Sequence, residues 1–213
     1  MPTTFYLVRH GESEANQRDA FLGHHDLPLT ALGRLQAEKT ANYLKNFHPD
    51  AIYSSDLSRA YETATFTAGL FNMPIVKDPG LREIDAGSWE EITFSELAKA
   101  FPESYALWCN DIGHARCDGG ESVAELRHRM ISALLRIAAK HENETVFVFT
   151  HATPIRAVAA HCKQLDANEL KTVPWATNAS VTRIIVDGDR FTLVDYSIDH
   201  FMGNMATRLP ENV

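Results

Sequence analysis

The sequence of 213 residues is poor in cysteine and has no long apolar run. Its three cysteines, Cys109, Cys117 and Cys162, include no CxxC pair, which argues against a disulfide framework and against a zinc site. No stretch approaches the roughly 20 apolar residues of a membrane-spanning helix. The N-terminus lacks the basic and apolar segments of a secretory signal. We therefore expect a protein of the reducing cytoplasm that has no membrane partner.

An excess of positive charge is also absent. The net charge of −8 disfavours non-specific binding to nucleic acid or to anionic membranes. It does not exclude an anionic small molecule, because salt screens the general field over about 8 Å and a local cluster of cations acts within that distance. The sequence has no internal repeat, low-complexity segment or Gly/Ser linker, so we expect a single domain over residues 1–213.

Strand and helix patterns alternate along the chain. The strand patterns cover residues 4–8, 51–54, 74–76 and 145–150, and the helix patterns cover 30–47, 57–71, 123–140 and a stretch from Thr153. Near the C-terminus, two further strand patterns flank Asp187-Gly188, which is typical of a hairpin. This alternation predicts an α/β fold whose mostly parallel sheet is covered on both faces and has an antiparallel edge strand.

Three of the predicted strands run into basic side chains. The first ends in Arg9-His10-Gly11, the second leads to Arg59, and the fourth leads to His151. Because ligands bind at the carboxyl ends of parallel strands, we expect two histidines and two arginines at one rim. Arginine clamps phosphate oxygens, and a neutral imidazole attacks phosphorus as a nucleophile. The pattern predicts a phosphoryl-transfer site, in which Gly11 allows a sharp bend beside the phosphate.

Five sequence blocks, in order, resemble the histidine phosphatase superfamily, which is also called phosphoglycerate mutase-like. They cover almost the whole chain and read LVRHGESEAN with GHHDLPLTALGRLQA, IYSSDLSRAYETA, LREIDAGSWEE, GGESVAELRHR and FTHATPIR. The resemblance implies a three-layer α/β/α sandwich and a reaction that needs no metal or organic cofactor. The implied partner is a small phosphorylated metabolite. A homodimer is compatible with the resemblance, although no feature of the sequence decides the oligomeric state.

The resemblance also implies roles for individual residues. His10 is the implied phospho-accepting nucleophile, and Glu83 is the implied general acid and then base. The implied substrate-binding residues are Arg9, Asn16, Gly23, Arg59, His151 and Ala152. The chain departs from many members in having Ala152 and Glu91 where they have glycine.

Three functions follow as alternatives. The first is a phosphatase that hydrolyses a small phosphomonoester through a phosphohistidine on His10. The second is a phosphoglycerate mutase-type phosphoryl transferase, and the third is a non-catalytic phosphate-binding module. The stretch 81–87, LREIDAG, resembles the phosphatase branch. The intact set of His10, Arg59, Glu83 and His151 argues against a non-catalytic module.

Residues 84–120 are expected to form a lid-like segment. They include five aromatic side chains, and we expect about half of these to pack helices and the others to cover the leaving group. The aromatic residues are Trp89, Phe94, Phe101, Tyr105 and Trp108. Residues 90–112 also carry five carboxylates against one lysine, which predicts that a substrate with a second phosphate is disfavoured. The carboxylates are Glu90, Glu91, Glu96, Glu103 and Asp111.

Overall fold

The computed structural model describes residues 1–210 of the chain. Within these residues, six strands form one sheet with the order β3-β2-β4-β1-β5-β6. The strands are β1 (Thr3–Arg9), β2 (Ala51–Ser54), β3 (Ile75–Lys77), β4 (Thr145–Thr150), β5 (Val181–Asp187) and β6 (Arg190–Ile198). The α-helices are α1 (Glu14–Gln17), α2 (Ala31–Leu44), α3 (Ser58–Phe71), α4 (Phe94–Ala100), α5 (Pro102–Asn110), α6 (Val123–Ala138) and α7 (Ala152–Cys162). Short 3₁₀ segments lie at Pro79–Leu81, Gly87–Trp89, Ile112–His114, Ala167–Thr172 and His200–Met205.

The sheet is parallel except at one edge. Strands β3, β2, β4 and β1 pair in parallel, whereas β5 runs antiparallel to β1 and β6 runs antiparallel to β5. The predicted hairpin is confirmed, and Gly188 in its turn has a φ of +60°, a conformation that glycine adopts without steric cost.

The central strands bury both of their faces. Along β1, Phe5 and Leu7 pack on one side of the sheet with residues of α6 and α7. Tyr6 and Val8 pack on the other side with residues of α2 and α3. Successive side chains of a strand point to opposite faces, so one apolar run serves both layers. The predicted three-layer α/β/α sandwich is therefore confirmed.

Element boundaries differ from the prediction by a few residues. Helix α2 ends at Leu44 rather than at residue 47, and β3 begins at Ile75 because Pro74 has no N–H for the ladder. Helix α7 begins at Ala152, one residue before the predicted start, with His151 in extended conformation as its N-cap. Ser122 and Glu125 form a capping box at the start of α6.

A third apolar core lies between the segment 84–120 and helices α6 and α7. It joins Phe21 and Ile84 to Trp89, Leu97 and Trp108. Across the described residues, no helix combines the length and the apolar character needed to cross a membrane.

Candidate active site

Two histidines leave the sheet side by side. Arg9 on β1 is the register partner of Thr150 on β4, so the next residue of each strand, His10 or His151, lies at the same rim. The centroids of the two imidazole rings are 5.1 Å apart, and the ring planes make an angle of 62°. The structure thus brings together two of the residues predicted from the strand ends.

The tautomer of His10 is fixed by a hydrogen bond to the backbone. Its Nδ1 lies 2.7 Å from the carbonyl oxygen of Gly11, and since a carbonyl only accepts, Nδ1 carries the proton. Nε2 therefore keeps its lone pair. Burial and the nearby cations Arg59 and Arg9 hold the pKa of His10 well below its usual value, so the ring is neutral at neutral pH.

Two buried arginines line the same pocket as His10. Arg9 at the end of β1 is 1% exposed, and its Nη1 donates to the carbonyl oxygen of Ala176 at 2.5 Å. Its Nε has no hydrogen-bond partner among residues 1–210. Arg59, in the first turn of α3, is also 1% exposed. Burial lowers the pKa of each to about 10, so both guanidinium groups remain charged at neutral pH.

Arg59 is held by a loop that follows α1. Its Nη2 donates to the carbonyl oxygen of Gly23 at 2.7 Å, and its Nη1 donates to that of His25 at 3.0 Å. Thr63, one turn along α3, accepts from the amide of Gly11 at 3.1 Å, which ties α3 to the loop that carries His10. The orientation of Arg59 therefore depends on two backbone carbonyl groups of the loop 23–25.

His151 is completely buried. Its Nε2 lies 2.8 Å from Oγ of Ser55, just beyond the end of β2. Its Nδ1 makes no hydrogen bond with the part of the chain that the structure describes. Burial and the charge of Arg59 hold the pKa of His151 well below its usual value, so this imidazole is also neutral. A neutral ring that accepts from the Ser55 hydroxyl presents a donor at Nδ1.

The carboxyl group of Glu83 lies against the N-terminus of α7. One oxygen accepts from the amides of Ala152 at 3.1 Å and Thr153 at 3.3 Å, and the other accepts from the amide of Ile84 at 2.9 Å. These bonds favour the ionised form. Burial favours the neutral form and outweighs them, so the pKa of Glu83 is raised.

Asn16 lines the pocket, and hydrogen bonds to its side-chain oxygen hold it in place. Its Oδ1 accepts from the Ser13 amide and from Nδ2 of Asn178, both at 3.1 Å. The Nδ2 group of Asn16 is left to donate to a ligand.

Gly23 lies behind Arg59 rather than among the lining residues of the pocket. Its own N–H donates to Glu90 at 2.9 Å. A Cβ at this position would meet the carbonyl oxygen of Ile84 at 2.3 Å, so the loop approaches residues 84–86 too closely for any side chain.

Gly11 serves packing rather than a bend of the backbone. Its φ does not lie in the left-handed region, whereas a Cβ would meet the carbonyl oxygen of Gly33 on α2 at 2.3 Å. The expected sharp bend at Gly11 is therefore wrong. Its missing side chain allows α2 to approach the loop that carries His10.

The two departures from the family pattern have local consequences. Ala152 lines the pocket, and its amide is engaged by Glu83. Glu91 has a φ of +61°, a conformation that glycine adopts at lower cost. Its carboxylate accepts from His25 at 3.0 Å and lies 3.5 Å from Arg18.

The remaining wall of the pocket is apolar. Trp108 and Phe94 from the segment 84–120 line it, while Trp89 is fully buried and Tyr105 nearly so in the core beneath. Two of the five aromatic side chains therefore line the pocket, and their covering of a leaving group stays a prediction. The other apolar lining residues are Ala20, Phe21, Leu22, Trp175 and Leu209.

Several residues of the site escaped the sequence analysis. Glu90 accepts from three successive amides, those of Gly23, His24 and His25, at 2.9, 2.5 and 3.2 Å. Ser55 and Trp175 were also missed. Of Glu90, Ser55 and Trp175, only Ser55 directly follows a predicted strand, and this position is the signal that could have identified it. Within residues 1–210, no three His, Cys, Asp or Glu side chains are grouped closely enough to hold a metal ion.

Comparison with known proteins identifies the family. The profile of the histidine phosphatase superfamily (branch 1) matches residues 5–199. The chain belongs to this superfamily. It is 33% identical over 198 residues to phosphoserine phosphatase 1 of Hydrogenobacter thermophilus. These residues cover 92% of this chain and 93% of that relative.

Solved structures agree with the assignment. YhfR of Bacillus stearothermophilus superimposes with a TM-score of 0.87 at 33% identity, covering 92% of this chain and 96% of that one. A mycobacterial glucosyl-3-phosphoglycerate phosphatase superimposes with a TM-score of 0.84 at 26% identity, covering 92% and 99%. The histidine phosphatase described here is thus an enzyme that hydrolyses phosphoric monoesters.

Proposed function

We propose that this phosphatase hydrolyses a small phosphomonoester in two steps, through a phosphohistidine on His10. The tautomer of His10 carries the proposal. Its Nδ1 proton is committed to the carbonyl of Gly11, so the lone pair of Nε2 is available in a pocket lined by two buried arginines. A neutral imidazole beside fixed cations combines a nucleophile with a site for the phosphoryl dianion.

In the first step, Nε2 of His10 attacks phosphorus, the N–P bond forms and the bond to the leaving oxygen breaks. Arg9 and Arg59 stabilise the charge on the phosphoryl oxygens. Nδ1 of His151 and the side-chain Nδ2 of Asn16 are further donors. Glu83 donates its proton to the leaving oxygen. Its raised pKa supports this role, because the acid must hold a proton when the substrate is bound.

In the second step, the Glu83 carboxylate takes a proton from water while the water oxygen attacks phosphorus. The N–P bond breaks, and inorganic phosphate and free His10 result. The backbone of Gly23 contributes by holding Arg59, and that of Ala152 by holding Glu83. The scheme uses no metal or organic cofactor. The three free cysteines are consistent with work in the cytoplasm.

The names of similar proteins support a small metabolite as the substrate. Phosphoserine and glucosyl-3-phosphoglycerate phosphatases are both phosphatases of small molecules. The transferase alternative is an outcome of the test below.

The test is a single-turnover reaction with phosphomonoesters labelled in the phosphoryl group, quenched in alkali. The label is expected on the peptide that contains His10, and it should be stable to base and labile to acid. His10→Ala should abolish the label and lower turnover by a factor of about 10⁴ or more. The exposed His128, replaced by alanine, is the matched control and should behave as wild type. Label on a serine or cysteine would contradict the mechanism, and an isomerised ester formed faster than free phosphate would favour a mutase.

A further inference from the structure

A second cleft adjoins the pocket that His10, Arg9 and Arg59 line. We call it the Arg156 cleft, and its volume is about 410 Å³. The pocket and the cleft share three lining residues, so a ligand that fills the pocket can extend into the cleft. The shared residues are Trp108, Trp175 and Leu209.

The cleft contains a buried cation that is only partly satisfied. Arg156 on α7 is 6% exposed, and its Nη2 donates to the carbonyl oxygen of Lys171 at 3.1 Å. Its guanidinium carbon lies 4.1 Å from the centroid of the Trp175 ring. Its Nε has no hydrogen-bond partner in the described chain, and Nε1 of Trp108 is orphaned in the same way. Two buried donors without acceptors favour a ligand that supplies acceptor oxygens.

The charges around the cleft also favour an anionic ligand. Lys171 and Arg208 line it together with Arg156, and no described carboxylate does so. Arg208 is exposed and pairs with Asp199 at 3.3 Å, which leaves Arg156 and Lys171 as the cations of the cleft that have no acidic partner within residues 1–210. A local cationic surface of this kind attracts an anion even on a protein whose net charge is −8.

Three acidic residues of the segment 90–112 are engaged elsewhere. Glu90 accepts from the loop 23–25, Glu91 from His25, and Glu96 caps α4. None of the five carboxylates lines the pocket or the cleft. Their positions therefore give no support to the expectation that they disfavour a second phosphate on the substrate.

We infer that the Arg156 cleft is a subsite for the leaving group, which takes a second anionic group, a carboxylate or a phosphate, joined to the reacting phosphate by an apolar or planar spacer. The inference rests on the proposed function, since it assigns the far end of the same substrate. The spacer lies along Trp108, Trp175 and Leu209, and the terminal oxygens meet Arg156 and Lys171.

The test compares two series of substrates: alkyl phosphates, and ω-carboxyalkyl and ω-phosphoalkyl phosphates of the same chain lengths. Beyond the chain length that reaches the cleft, kcat/KM for an anionic ester is expected to exceed that of its alkyl counterpart by about tenfold, as for one charge-assisted hydrogen bond. The gain should appear mainly in KM. The carboxylate and phosphate arms identify which anion is preferred.

Arg156→Met should lower the ratio between the two series by about tenfold. Lys171→Glu, at an exposed position where folding is not at risk, should lower it in the same direction. The control is Arg127→Met, which removes a half-buried arginine on α6 that donates to the carbonyl of Leu165 outside the cleft. The control should leave the ratio unchanged.

Equal kcat/KM for both series at every length, or a ratio unaffected by Arg156→Met and Lys171→Glu, would overturn the subsite while the alkyl esters continue to report phosphatase activity. If no ester of either series is hydrolysed, the proposed function and the subsite fail together.

Discussion

Each reacting group of the site owes its protonation state to a small number of neighbours. His10 is neutral because it is buried beside two guanidinium groups, and its proton is on Nδ1 because Gly11 offers a carbonyl. Glu83 accepts three backbone N–H groups, yet burial raises its pKa. A nucleophilic nitrogen with a free lone pair and a carboxyl group with a raised pKa therefore line the same pocket.

The role of Glu83 predicts a dependence on the leaving group. An alkoxide needs a proton to depart, whereas p-nitrophenolate does not. Glu83→Gln is expected to slow phosphorylation of His10 by alkyl phosphates by a factor of about 100 or more, and to change the rate with p-nitrophenyl phosphate only slightly. Hydrolysis of the phosphohistidine should slow equally for all substrates, because the leaving group has gone. Single-turnover kinetics measure the two steps separately.

Glu91→Gln is the control for this prediction. Glu91 lies near Glu83 in sequence but does not line the pocket, and it pairs with His25 and Arg18. This variant should leave both steps unchanged. If Glu83→Gln slowed phosphorylation by the same factor for both leaving groups, Glu83 would not be the acid, and Asp85 would be the next carboxylate to test.

At the scale of elements, strand register assembles the catalytic rim. Parallel pairing of Arg9 with Thr150 fixes the neighbours His10 and His151, and pairing of Ser54 with Phe149 brings Ser55 beside them. These contacts follow from the order of the strands. The loops are held differently, since the loop 23–25 is tied to the segment after β3 mainly by side-chain hydrogen bonds, three of which Glu90 accepts.

Glu90 is expected to act as a positioning residue for Arg59. Its carboxylate holds the amides of Gly23, His24 and His25, and the carbonyls of Gly23 and His25 hold the guanidinium of Arg59. A glutamine has one acceptor oxygen in place of two, so Glu90→Gln should loosen the loop. We expect kcat/KM to fall by about tenfold, measured with a good substrate at neutral pH.

A double-mutant cycle separates positioning from a general loss of structure. In the background Arg59→Lys, where the two-pronged contact is already absent, Glu90→Gln should have a much smaller effect. Glu96→Gln is the matched control, because Glu96 also accepts from a backbone amide but caps α4 away from Arg59. Additive effects in the cycle would show that Glu90 does not act through Arg59.

The contrast between strand ends and loops explains what the sequence revealed and what it did not. Strands and the residues that follow them carry a local period-2 pattern, so the rim with His10 and His151 was predictable. The contact between Glu90 and Gly23 joins residues 67 positions apart, and no local pattern records it. The Arg156 cleft was hidden for a similar reason, since its walls come from α5, α7, the chain between α7 and β5, and the chain after β6.

At the scale of the whole molecule, charge is divided unevenly. The protein has a net charge of −8, while the site buries two guanidinium groups and two neutral imidazoles. Keeping the imidazoles neutral has a consequence for stability. An unfolded histidine titrates near pH 6.5, whereas the pKa values of His10 and His151 are held well below this value in the folded state.

Between these folded values and about pH 6.5, the unfolded chain binds more protons than the folded protein, so the free energy of unfolding falls as the pH falls. Each buried histidine contributes a slope of up to about 1.4 kcal/mol per pH unit. Glu83 acts in the opposite sense, because folding raises its pKa. Its contribution to the free energy of unfolding is lost as the pH rises from its pKa in the unfolded chain to its pKa in the folded protein. The two histidines outweigh the single carboxyl group, so we expect net destabilisation below about pH 6.5.

Urea unfolding at pH 7, 6 and 5 measures this slope for the wild type and for His10→Asn. The substitution removes one buried imidazole, while the amide group of asparagine can donate to the Gly11 carbonyl as Nδ1 does. It should change the free energy of unfolding by a constant amount and flatten the slope between pH 6 and 5 by about 1 kcal/mol per unit. His128→Asn, at an exposed position, should leave the slope as in wild type. An unchanged slope in His10→Asn would mean that His10 takes up its proton in the folded protein as readily as in the unfolded chain, and that the neutral nucleophile required by the mechanism is not maintained by burial.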